Sequence, residues 1–407
     1  MLLLFRLAFR NIFRQRRRSL LTALSIGGGY ILCTLSLSLL EGSYNNLIKL
    51  FTLSNTGHIQ IHQGNYLERP KVHKAINDYA ELASTLESVA EIKQFSFRVY
   101  SPALAYSDDG NQPAQVKGID LAREADTTLI LDKIQQGEYI SAQTDADGYY
   151  QAMIGTGIAD GLNIGLGDEI VVISQGADGS VANDIFIVGA IIGNKDSLER
   201  NQIILPLEAA QAFLSMYGQV HEAAIILDDF AAAKDVAATL QAVLPELTVS
   251  PWQVVEEDFY KSMQSDKQGN HTMMAIILFI VFIGVLNTVL MTVLERTREF
   301  GVLKAIGSEP RTIMLLVGLE TSMLATLSIG AAFIIALPMV YWFANAGFSL
   351  SEPIDIGGIM FSAFKGDISF QVFFIPAVLL LAFALVVSIP PGLRAARIPP
   401  TRAMSSH

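Results

Sequence analysis

A single cysteine, Cys33, excludes any intrachain disulfide. It lies in an apolar run, so cysteine usage says nothing about the compartment of the rest. Charge is scarce: 16% of residues are charged and 51% hydrophobic. That is too apolar for an ordinary soluble enzyme and too charged for a protein wholly within lipid, so a few membrane helices plus one sizeable soluble domain are expected. No G-x-x-x-x-G-K-[ST] phosphate loop occurs, so the chain should not bind ATP itself. Gly155, Gly157 and Gly161 mimic a dinucleotide fingerprint, but the βαβ context with an acid about 20 residues on is missing. His58 and His62 share a strand face with Gln60. Two histidines without a third ligand do not make a metal site, and exposed strand polar residues are the expected reading. His221-Glu222 lacks the second histidine of a metalloprotease helix. No catalytic triad or carboxylate pair can be assigned, so no enzyme, cofactor or metal is expected in this chain.

What is present is divided sharply. Residues 42–271 hold 31 acidic and 14 basic residues, a net −17, while the rest holds 8 acidic and 14 basic, a net +6. An acidic domain excludes nucleic acid as a partner, and the basic remainder suits flanks facing anionic membrane lipids. Residues 1–18 read as an interfacial amphipathic helix, with Arg6, Arg10, Arg14 and Arg17 on one side and Leu2, Phe5, Phe9, Ile12 and Phe13 on the other. Four spans follow, at 19–41, 272–294, 312–343 and 370–389. Six arginines precede the first, which puts the N-terminus inside and 42–271 outside. A cleavable signal peptide is the rival for the first span, but no small-residue site ends the run. Gly27-Gly28-Gly29 would permit close helix approach. Asn287 and Glu320 are polar residues within spans. Asn287 should bond across helices. Glu320 either bonds to the interface or a neighbouring helix, or carries protons. The third span is longer than a bilayer needs. Residues 344–369 form an external loop, Pro390-Pro391 ends the fourth span, and the tail 390–407 is held inside by Arg394, Arg397 and Arg402.

The external domain reads as α+β. A helical stripe covers Ala75–Val89, and strands are expected at His58–Gln63, Ser96–Tyr106, Glu169–Ser174 and Asp184–Ile192. His221–Leu227, Ala232–Leu244 and Leu247–Ser250 suggest strand, helix and strand. Matching this late unit to Gly57–Ile61 and its helix leaves about 95–218 as a strand-rich insertion in a base subdomain. Trp252–Asn270 reads as a helical stalk, with a mobile linker, broken at Gly269-Asn270, as the alternative.

The loop at 295–311 is short, basic and placed for the cytoplasm, with Arg296, Arg298, Lys304 and Arg311. It either stays a solvated loop or folds as a helix with Phe300, Leu303 and Ile306 along one apolar side, followed by Ser308 as N-cap of the next helix.

Its run Glu295-Arg296-Thr297-Arg298-Glu299-Phe300-Gly301-Val302-Leu303-Lys304-Ala305-Ile306-Gly307 resembles the coupling loop of MacB-like ABC-transporter permeases, also called the FtsX-like permease family, which includes LolC/LolE-type lipoprotein-releasing subunits. Met153–Asp168, Ile203–Gln211 and the tail R-A-A-R-I-P-P-T-R-A-M are similar to further signatures of that family, with Pro399 and Pro400 replacing a more usual single proline. The resemblance implies four spans with an extracytoplasmic domain between the first two, and both termini cytoplasmic in the inner membrane. It implies a separate ABC ATPase dimer, which binds ATP and Mg, seated on Glu295, Arg296, Glu299, Phe300, Gly301, Leu303, Lys304 and Gly307. On that basis Phe300 and Leu303 enter an apolar cleft, with Glu299 and Lys304 on its rim. Further implied partners are a second permease subunit, identical or homologous, and a periplasmic carrier or adaptor. Lipoprotein release is the expected activity. Tripartite efflux, and regulation of a cell-wall hydrolase or sensor kinase, stand as alternatives.

Overall fold

The structure, a computed structural model, describes residues 2–14, 16–356 and 359–397. Its elements in chain order begin with α1 (Leu2–Arg14), α2 (Arg16–Phe51), a π-helical segment (Thr52–Thr56), β1 (Ile59–Gln63), β2 (Ile76–Asn77), α3 (Tyr79–Glu87), β3 (Ile92–Ser107), β4 (Gly110–Ile119) and α4 (Leu121–Thr127). Next come β5 (Ile134–Gly137), β6 (Tyr150–Gly155), α5 (Thr156–Leu162), β7 (Glu169–Gln175), β8 (Val181–Ile192), β9 (Gln202–Pro206), α6 (Leu207–Phe213), β10 (Gln219–Val220), β11 (Glu222–Leu227), α7 (Ala233–Val243) and β12 (Leu247–Pro251). The chain continues with α8 (Trp252–Val255), α9 (Glu257–Glu295), α10 (Thr297–Ala305), α11 (Pro310–Asn345), β13 (Phe348–Ile356), β14 (Ile359–Phe364) and α12 (Phe370–Arg397). These form two compact units, one helical and one strand-rich, the latter built on Asn46–Ser262.

In the helical unit, α2, α9, α11 and α12 are each long and apolar enough to cross a membrane. Their shared core is Tyr30 and Cys33 of α2, Leu278 and Val281 of α9, Ala325 and Ala332 of α11, and Leu380 and Ala384 of α12, with their neighbours. Gly29 is required at the α2–α9 contact, because a Cβ there would lie 2.4 Å from Val281 Cγ2. The helices run beyond the expected apolar spans. α2 reaches Phe51, and α9 passes through Gly269-Asn270 without a break. Polar pairs between α2 and α9 hold this stretch: Ser36 Oγ donates to Asn270 Oδ1 at 2.8 Å, and the Tyr44 hydroxyl to Asp266 at 2.6 Å.

Pro390-Pro391 does not end α12, which continues to Arg397. Each proline removes only one backbone donor, toward the carbonyls of Val386 and Val387, while its fixed φ still suits a helix. Residues 344–369 contain the pair β13–β14, and residues 357 and 358 between them lie outside the described residues. Asp367 is bound to Ser38 of α2 by its N–H, 2.9 Å from the Ser38 carbonyl, and by its own carbonyl, 2.8 Å from Ser38 Oγ. Arg402, Pro399 and Pro400 lie outside the described residues.

In the strand-rich unit, β12-β1-β11-β3 form an antiparallel sheet in that order. With α3 between β1 and β3, and α7 between β11 and β12, this is a ferredoxin-like split βαβ arrangement. β3 then continues into a second sheet. It pairs with β4 and with β7; β4 pairs with β9, β9 with β6, β6 with β8, and β8 with β7. The ring closes into a six-stranded barrel with no free edge, and β5 adds to β8.

His58, Gln60 and His62 are buried, against the expectation that they are exposed. β1 is flanked by strands on both sides and covered on both faces. His58 Nδ1 accepts the Leu227 N–H at 2.9 Å, and burial pushes its pKa down to about 4. Among the described residues no three His, Cys, Asp or Glu side chains gather as a metal site. The glycines at 155–161 serve packing instead. A Cβ on Gly155 would sit 2.0 Å from the Glu199 carbonyl oxygen, and α5 follows directly.

Candidate functional site

α9 stops at Glu295 because Arg296 leaves the helical conformation, with φ −96° and ψ 15°, and caps α10. α10 stops at Ala305, and Gly307 turns the chain with φ 100°. Glu309 caps α11, with Pro310 in its first turn. Ser308, expected as that cap, instead donates its N–H to the Leu303 carbonyl at 3.0 Å. The segment is therefore a helix in a corner between two spans.

Arg296 fastens that corner. Its Nε donates to Glu299 at 2.8 Å, and its Nη1 to both oxygens of Glu320 at 2.8 and 3.0 Å. Its guanidinium also lies 5.2 Å from the Phe300 ring centre. Glu320 accepts a further hydrogen bond from Asn11 of α1. Glu299 pairs with Arg14 of α1 at 2.9 Å, and Arg18 of α2 pairs with Glu295. Burial works against the Glu299 carboxylate, but hydrogen bonds and charge from Arg296 and Arg14 outweigh it and hold its pKa below the usual value. Lys304 Nζ donates to the Ala396 carbonyl at 2.9 Å, which ties α10 to the end of α12. A cavity of about 60 Å³ opens beside Glu320, lined by the polar Asn11, Thr22, Thr292 and Arg296 and by the apolar Ile12, Val289, Phe300 and Val317 among others. It is large enough for water.

Phe300 does not project outward. It is 1% exposed, packed with Ala8, Val293, Ile313, Leu316, Val317 and Ala395. Gly301 is buried beside it, Leu303 is half-buried, and Ile306 is 79% exposed. The three residues do not form one apolar side. At about 100° per residue, two steps of three turn the side chain about 120° away from where it began. The outward face is Arg298, Val302, Ala305 and Ile306, with Val302 43% exposed. Glu299 and Lys304 are engaged within the chain, and Gly307 is exposed at the corner.

Asn287 also differs from expectation. It is exposed on α9 and has no hydrogen-bond partner among the described residues. Sequence reasoning missed Asn11, Arg14 and Arg18 as partners of this site. Their helical spacing was visible, but positive charge near a span reads first as membrane orientation.

A model of the MacB-like periplasmic core domain matches residues 19–243, and one of the FtsX-like permease C-terminal region matches 272–400. The chain is 22% identical to the lipoprotein-releasing system transmembrane protein LolE of Haemophilus influenzae, over 95% of this chain and 94% of that one. It is 24% identical to the lipoprotein-releasing system transmembrane protein LolC of Xylella fastidiosa, over 72% and 73%. It is also 24% identical to the macrolide export ATP-binding/permease protein MacB of Nitrobacter winogradskyi, over 66% of this chain but 40% of that protein. Four long apolar helices, a charge-fastened corner between two of them, and a strand-rich domain between the first two fit both matches: the chain belongs to the MacB-like, FtsX-like family of ABC-transporter permeases.

Proposed function

We propose that the chain is a permease subunit that passes ATPase-driven motion across the inner membrane to its extracytoplasmic domain, and thereby releases lipoprotein or another amphiphile from the outer leaflet. Both termini and α10 face the cytoplasm, where a separate ATPase dimer, holding ATP and Mg, docks on α10. A second permease subunit completes the assembly, and a periplasmic carrier or adaptor receives the cargo. The observation that carries this reading is α10 itself. It is bolted to α1, α11 and α12 through Glu299, Arg296 and Lys304, yet leaves Val302 and Ile306 uncovered on its outer face. A helix held this firmly transmits a push to the spans instead of absorbing it. Lipoprotein release is favoured over efflux by extent. The LolE relative is matched over 94% of its length, whereas the MacB relative, an ATP-binding/permease protein, is matched over 40%.

The test measures ATPase retained on tagged chain in nanodiscs. Val302→Asp and Ile306→Asp should each reduce retention about tenfold or more, as loss of an apolar anchor does, while leaving the melting temperature unchanged. Phe300→Ala should instead destabilise the chain by about 3–5 kcal/mol, and so lower the melting temperature, because it empties a packed site. Full retention with both aspartates in place would remove α10 as the docking element.

A further inference from the structure

Residues 46–56, the last turns of α2 and the π-helical segment, belong to the strand-rich unit. A helix leaves its last four carbonyls without partners of its own. Here each has a separate donor from elsewhere in the unit. The Leu129 N–H reaches the Leu53 carbonyl at 2.9 Å, Lys133 Nζ the Ser54 carbonyl at 2.9 Å, and Gln60 Nε2 the Thr56 carbonyl at 2.8 Å. Arg98 Nη1 donates to the Asn55 carbonyl, and Lys117 Nζ to Asn55 Oδ1 at 2.8 Å. Arg98 and Lys133 bring positive charge to the negative end of the helix.

The cations are fully matched. Arg98 holds Glu124 through two hydrogen bonds at 2.8 and 3.0 Å and reaches Glu222 at 2.8 Å. Lys117 lies 3.6 Å from Glu124, and Lys133 pairs with Glu199. All six side chains are buried. They come from β3, β4, α4, β11 and the turns before β5 and β9, so both the ferredoxin-like sheet and the barrel contribute. Buried ion pairs add little net stability over apolar packing. What they impose is direction. A slip of residues 46–56 by one residue, about 100° of rotation, would leave buried charges and carbonyls unpaired.

We infer that this cluster is a keyed joint, with Arg98, Lys117 and Lys133 as positioning residues that fix the rotation and register of residues 46–56 within the strand-rich unit. The π-helical form fits that role, since π segments are rare and recur at functional sites. Movement delivered along the chain to residue 46 is then taken up within the strand-rich unit without slack. This rests on the reading of the chain as a transmitter of ATPase-driven motion.

The test uses the full chain with its ATPase in nanodiscs, carrying Lys133→Met or Lys117→Met. Amide exchange across Ser54–His58 should accelerate at least tenfold while β6 and β9 stay protected, and Lys133→Arg should restore protection. A spin label at Val181→Cys, in a Cys33→Ser background, reports the response to ATP with vanadate. Hydrolysis and ATPase retention should match the parent chain, with the label's response lost. Unchanged exchange in both methionine variants overturns the joint. So does a parallel fall of hydrolysis and response, which would mark a purely structural role. A parent chain whose label ignores vanadate removes the transmission reading instead, and the exchange rates still decide the joint.

Discussion

Glu222 stays ionised where burial alone would make it neutral. Burial raises its carboxyl, but the hydrogen bond from His62 and the charges of Arg98, His62 and Lys117 reverse this and pull it from 4.5 down to about 2. Between those values the unfolded chain holds the proton more tightly than the folded one. The stabilisation is therefore complete above pH 4.5 and drains away as pH falls through about 2, by up to on the order of 3 kcal/mol. Fluorescence of buried Trp252 in a Trp342→Phe chain follows this. Glu222→Gln should be less stable at pH 7 and should lose less stability than the parent chain between pH 4.5 and 2. Equal stability of the parent chain at pH 5 and pH 2.5 would refute the assignment. At this scale the sequence was least informative. His62, the partner of Glu222, looked like an exposed strand residue, because alternation cannot tell a central strand from an edge strand. Phe300 and Ile306 looked alike, because only neighbouring helices decide which is covered. Glu320 was legible as an anomaly, since a carboxylate in an apolar run has few ways to exist. Its partner Asn11 was not.

Gly29 shows how two elements constrain each other. Gly29→Leu must displace Val281 or separate α2 from α9, an overpacking that costs about 1–3 kcal/mol. Gly28→Leu faces open space and should be neutral. Melting of the two variants in detergent distinguishes them, and equal melting temperatures would show that the close contact is not maintained. The four long helices were legible because a run of about 20 apolar residues has one main explanation. Their ends were not. α2 and α9 continue into polar sequence because the pairs of Ser36 with Asn270 and Tyr44 with Asp266 hold them together. Of the barrel, β4 was invisible. Asn111, Gln112, Pro113 and Gln115 carry little strand preference, and their strand exists because β3 lies alongside.

At the scale of the molecule, orientation is the outstanding physical expectation. In a Cys33→Ser background, an impermeant thiol reagent on intact cells should label Ser180→Cys and spare Glu309→Cys until lysis; both positions are exposed. Labelling of 309 in intact cells would invert the arrangement. The acidic excess of 42–271 and the basic excess elsewhere were legible from composition. The way β3 serves two sheets was not, since it depends on pairings far apart in sequence. That shared strand sets an order in time. β1 is made early, but its neighbours are Glu222–Leu227 and Leu247–Pro251, with the whole barrel synthesised in between. As the chain emerges from synthesis, β1 has no completed sheet to join, and the carbonyls of the π-helical segment have only the nearby Gln60 as donor until Arg98, Leu129 and Lys133 follow. The newborn chain thus carries two bare strand edges through the longest part of its assembly, a window in which a chaperone that shields them governs yield more than final stability does.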